Sequence, residues 1–142
     1  MVFLLNIFST FFLTGLIWTI QIVHYPLFLK IGNNEFLDYH HGHSFRISLI
    51  VMPMMLLELI STFLLSIVES NEYKLFHYSG LFLVLIIWLS TFFLSVPEHT
   101  ILGEGWNEMS IKRLVTTNWI RTIAWSLHSL LLIIELRSKL VL

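Results

Sequence analysis

The sequence predicts an all-α protein, a four-helix transmembrane bundle, and three observations carry that prediction. The chain is 56% hydrophobic and 12% charged, with a mean hydropathy of +0.82. A soluble domain of similar size carries about 25% charged residues. Apolar runs over about residues 2–23, 47–68, 75–96 and 114–134 are each long enough to cross a ~30 Å hydrocarbon layer. The stretches between them are short, which makes residues 1–142 a single integral membrane domain with no room for a soluble one. Backbone groups in lipid must bond within their own segment, so each run is expected to be helical.

Composition also removes several classes of function. There is no cysteine, hence no disulfide framework and no thiolate chemistry. A formal net charge of −1 argues against a nucleic-acid partner. Residues 1–8 hold no Lys or Arg and no small-residue cleavage site precedes His24-Tyr25-Pro26, so the first run is expected to be retained rather than cleaved. The expected partners are the lipid bilayer and a lipophilic small molecule.

In the first helix Thr10, Thr14, Trp18, Gln21 and Tyr25 share one face, with His24 beside it and Pro26 expected to end or kink the helix. The connection over 24–45 is the longest. It is expected to turn at Gly32-Asn33-Asn34 and to hold a short interfacial helix over 35–43, in a histidine-rich loop. The second helix begins near Arg46, tolerates Pro53 and places Glu58 near mid-span. Residues 69–74 read as a turn. The third helix carries a polar line of Trp88, Thr91 and Ser95 before Pro97, expected to terminate it; His99 follows in the third connection. In the fourth helix Asn118, Arg121, Trp125 and His128 fall on a single face. An even number of spans gathers His24, His40, His41, His43 and His99 at one end, with His77 at the other. Basic residues near the two ends are too evenly divided to set the orientation.

An arginine inside hydrocarbon costs about 2.5–3.5 kcal/mol on insertion scales, so Arg121 needs a partner or a polar cavity. Counting depth from the histidine-bearing side puts Arg121 roughly 14 Å in and Glu58 roughly 18 Å in. A bidentate Arg121–Glu58 pair is therefore expected, as a register lock or as the polar floor of a pocket. Gln21, Arg46, Glu58, Trp88, Asn118 and Trp125 are the candidate substrate-binding residues, and His24, His99 and Arg121 the candidate catalytic ones. His24, His40, His43 and His99 are the candidate ligands of a metal or haem, or else hydrogen-bonding groups at a polar mouth or a solvated patch. The cofactor, if there is one, is open.

The motifs Trp18-x-x-Gln21-x-x-His24-Tyr25-Pro26-Leu27-Phe28, Tyr39-His40-x-x-His43-x-x-Arg46, Pro53-x-x-x-x-Glu58, Pro97-x-His99 and Asn118-Trp119-x-Arg121-Thr122 span nearly the whole chain. Together they resemble a group of small bacterial four-helix membrane proteins of unknown function, which implies a bacterial cytoplasmic membrane. More distantly, Val96-Pro97-x-His99-x-x-Leu102 with Asn118-x-x-Arg121-Thr122 resembles the end of the anthrone-oxygenase-like family. That family's pattern has Asn at the position of His99 and a Leu-His pair before the Arg. The resemblance implies cofactor-independent oxygenation of a polycyclic aromatic substrate, with the His99 loop and Arg121 lining one site. Three functions follow as expectations: a membrane oxidoreductase or oxygenase acting on an aromatic or quinone-like molecule, a metal- or haem-binding membrane protein, or a non-catalytic assembly subunit. In the first, Arg121 stabilises a phenolate or enolate and His24 or His99 moves the proton.

Overall fold

The computed structural model describes residues 1–68 and 71–141 and contains four long helices. These are α1 (Val2–Lys30), α2 (Asn33–Val68), α3 (Lys74–Leu102) and α4 (Glu108–Val141). Each is long and apolar enough to cross a membrane, and the protein is an integral membrane protein. Each helix packs on two others, in the closed order α1–α2–α3–α4–α1. Short connections between successive helices make neighbours antiparallel. The outside is a continuous apolar skin in which Leu4, Phe8, Phe45, Leu49, Phe82 and Phe93 are exposed. Lipid is the solvent such a surface requires.

The helices outrun the apolar segments. At ~1.5 Å per residue, α2 is roughly 54 Å long, well beyond a ~30 Å hydrocarbon core. The expected loop and short interfacial helix over 35–43 are instead the opening turns of α2, so His40, His41 and His43 stand on a helix. The chain reverses before Asn33: Ile31 is extended, and the Gly32 carbonyl accepts from the N–H groups of Glu35 and Phe36. The helix continues unbroken through Pro53. In the second connection Asn71–Tyr73 form a 3₁₀ turn, while Glu69 and Ser70 lie outside the described residues. In the third, Gly105 has φ 152°, a conformation that favours glycine. Asn107 Oδ1 accepts from the Ser110 N–H at 3.0 Å and caps α4.

Pro26 and Pro97 do not end their helices. Each is preceded by a wide π-helical turn, Ile20–His24 in α1 and Thr91–Ser95 in α3. Proline removes a donor and presses on the carbonyl four residues back, here those of Ile22 and Phe93. Widening the helix by one residue absorbs both defects and lets it run on to Lys30 and Leu102. The two widened turns flank the same internal space and re-aim Tyr25 and His99 into the bundle.

Candidate functional site

That space is a cavity of about 280 Å³ near the end of the bundle where α1 meets α2 and α3 meets α4. Leu13, Ile17 and Ile20 of α1 and Ile47 and Val51 of α2 form apolar walls, and the buried Trp125 of α4 lies at its inner end. A few polar groups converge on it: Tyr25, His43, His99, Thr91 and Arg121. Largely apolar space with a few aimed polar groups is the usual form of a small-molecule site.

Arg121 is 6% exposed. Its guanidinium donates to Tyr25 Oη at 3.3 Å, to Thr91 Oγ1 at 3.5 Å and to Asn118 Oδ1. Behind it, Asn118 Nδ2 donates to Gln21 Oε1 at 2.8 Å, and Gln21 Nε2 donates to the Val115 carbonyl at 3.1 Å. Gln21 and Asn118 thus orient the arginine from behind without lining the cavity. All the partners of Arg121 are neutral. Its Nε has no partner, and among the described residues no carboxylate lies within ion-pair distance of it.

The expected Arg121–Glu58 pair does not form. Glu58, fully buried, accepts from Thr10 Oγ1 at 3.0 Å and Trp125 Nε1 at 2.8 Å, and pairs with His128 Nδ1 at 3.1 Å. Depth counted from the ends of apolar runs misplaced it, because both helices begin well before those runs. Glu58 stands level with residues 125–128 of α4, one to two turns deeper than Arg121. Trp125 intervenes, its ring lining the cavity and its N–H on Glu58. A second buried carboxylate, Glu135, lies 2.9 Å from Lys139 Nζ and 3.4 Å from His77 Nε2 near the terminal end. Both deep carboxylates therefore have cationic or imidazole partners, and the deep arginine has no anion.

Above the cavity four imidazoles form a roof. His24 Nε2 and His43 Nδ1 are 2.9 Å apart, and His40 Nε2 and His99 Nδ1 3.1 Å apart. Tyr25 Oη is 3.1 Å from His99 Nε2. Each contact between unprotonated and protonated nitrogen needs one donor and one acceptor, so the paired rings are not both cations. Arg121 can only donate, which leaves His99 Nε2 as the bonded acceptor for the Tyr25 hydroxyl proton. His99 then carries its own proton on Nδ1, directed at His40 (a tautomer assigned from the network). Among the described residues no three His, Asp or Glu side chains are gathered as a metal ion needs. The four roof rings are directed at one another instead.

The remaining predicted residues divide. His99 lines the cavity directly, and His24 reaches it only through His43. Trp125 lines it, whereas Trp88 is half-buried beside Phe92 with its N–H unpartnered. Arg46 is exposed on the outer face of α2, beside a shallow depression shared with Tyr39. Tyr25 and the Glu135–His77 pair were not singled out as site residues from the sequence, although Tyr25 lies on the polar stripe of α1 and Glu135 seven residues beyond His128 on the same face of α4. The chain matches no protein-family model, and no curated protein or solved structure is significantly similar to it.

Proposed function

We propose that the protein binds a lipophilic ring compound bearing an ionisable oxygen, a phenol, enol or hydroxyquinone, and moves a proton on it as a membrane oxygenase or oxidoreductase. The observation that carries this reading is the unpaired Arg121 on an apolar cavity. A buried cation without a counter-ion is costly, and a ligand oxyanion supplies the missing charge. Tyr25 and His99 stand beside it, so an oxygen docked at Arg121 has a proton acceptor in reach. Preorganised charge of this kind stabilises the anion formed when a ring substrate loses its proton. Proton transfer to His99 Nε2 by way of the Tyr25 hydroxyl, which gives up its own proton as it takes the substrate's, with Arg121 holding the resulting phenolate or enolate, is the step these residues supply. The anthrone-oxygenase-like family that the sequence distantly resembles is associated with cofactor-independent oxygenation of polycyclic aromatic substrates, for which dioxygen is the oxidant.

The test uses the full chain in lipid nanodiscs. A hydroxynaphthoquinone quenches tryptophan fluorescence, Trp125 being at the cavity, and its methyl ether, which cannot ionise, binds about 30-fold or more weaker. Equal affinity for the two probes, or binding of neither, overturns the proposal.

A further inference from the structure

The roof and the flank of the cavity are built differently. On the roof side His40 is buried while His24, His43 and His99 are half-buried, and an apolar layer packs against the rings. Phe28, Phe36 and Leu102 are fully buried, with Phe36 stacked on His40 at 5.7 Å and Phe28 edge-on to His24 at 5.2 Å and His43 at 5.5 Å. The roof rings are tied to one another and to Tyr25, so passage between them breaks those contacts. On the flank the lining differs. Ser48, Met52 and Val96 line the cavity and are also exposed on the outer surface, Met52 by 41% and Val96 by 47%. They belong to α2 and α3, and Ser44, Ser95 and the widened turn at Thr91–Ser95 continue the gap inward.

Building on the ligand reading above, we propose that the ligand reaches Arg121 sideways from the bilayer, through a slot between α2 and α3 edged by Ser48, Met52 and Val96. The substrate is therefore a membrane-dissolved amphiphile with an oxygen-bearing ring and an apolar tail. A cavity of about 280 Å³ holds a ring head but not a long chain. The tail stays in the slot and the surrounding lipid, where it meets the same apolar medium inside and outside the protein. The oxygen enters first, past the Ser44 and Ser48 hydroxyls, to the guanidinium.

The absence of native cysteine allows a clean test on the full chain in nanodiscs. A Ser48→Cys variant is compared with itself before and after alkylation by a bulky, lipid-soluble pyrenyl-free maleimide. The probes are hydroxynaphthoquinone and the same ring with a long alkyl chain, followed by stopped-flow quenching. Alkylation is expected to slow association of both probes by about tenfold or more, while alkylated Leu85→Cys, lipid-exposed elsewhere on α3, associates at its unlabelled rate. The long-chain probe is expected to bind at least as tightly per mole of lipid as the tailless one. Unchanged association after alkylation at Ser48, or rejection of the long-chain probe while the tailless one binds, overturns lateral entry and leaves the ring-binding reading standing. Binding of neither probe to the parent chain overturns both.

Discussion

Replacing Arg121 with methionine separates a guanidinium kept for ligand binding from one kept for architecture. In the unliganded protein the substitution removes a buried charge, which on insertion scales is worth about 2.5–3.5 kcal/mol in the variant's favour. Against that, Asn118 Oδ1 loses its donor, at about 1–3 kcal/mol for an orphaned buried acceptor. Tyr25 keeps its bond to His99, and Thr91 keeps one to the Ile87 carbonyl, so those losses are small. The opposing terms nearly cancel, and Arg121→Met is expected to leave stability within about 2 kcal/mol of the parent. Binding has no such compensation. Removing one partner of a desolvated charge pair costs about 2–5 kcal/mol, roughly 30- to 5,000-fold in affinity for the hydroxyl probe. Thermal unfolding in detergent and quenching titrations in nanodiscs read the two quantities on the same samples. Arg121→Lys keeps the charge but not the planar fork and is expected to fall between. A variant several kcal/mol less stable that still binds the probe at parental affinity refutes the reasoning and makes Arg121 a structural fastener.

Two further outcomes concern the deeper half of the bundle. Glu58→Leu strands Thr10, Trp125 and His128 together and is expected to cost about 3–5 kcal/mol in unfolding measurements, whereas Glu58→Gln, which still accepts from Trp125, costs about 1–2 kcal/mol. Gly80→Ala places a methyl group 2.9 Å from His128 Nε2, on a ring that Glu58 holds from the other side. It is expected to destabilise by about 1–3 kcal/mol, read by thermal unfolding, while leaving probe affinity at the distant cavity unchanged.

The bundle was legible because hydropathy reports what lipid demands: uninterrupted apolar runs can only be spanning helices. Helix ends were not, because above the hydrocarbon a helix continues on polar residues that hydropathy discounts. For that reason hydropathy sets the histidines of residues 40–43 in a connection with a separate short interfacial helix, where they stand on the opening turns of α2. Pro26 is expected to end or kink α1 and Pro97 to end α3, where a single π-helical turn absorbs each. Periodicity placed Asn118, Arg121, Trp125 and His128 on one face of α4, and all are buried inside the bundle. Their partners across the bundle were beyond it. Whether Glu58 meets Arg121 or His128 depends on the axial offset of two helices, which no single-helix spacing contains. Nor does spacing within one helix tell which tryptophan reaches the cavity: Trp125 does, whereas Trp18 lies at the surface, bonded to Ser126 and edge-on to Trp119, and Trp88 packs beside Phe92.

The most direct measurement of the central claim is the visible spectrum of hydroxynaphthoquinone bound to the parent protein in nanodiscs, taken across a pH series. With Arg121 as its counter-ion, the bound probe shows the anion's absorption band at pH values where the same probe in protein-free nanodiscs is protonated. A bound probe that titrates as it does in lipid alone, or one that binds as the neutral phenol, contradicts the account.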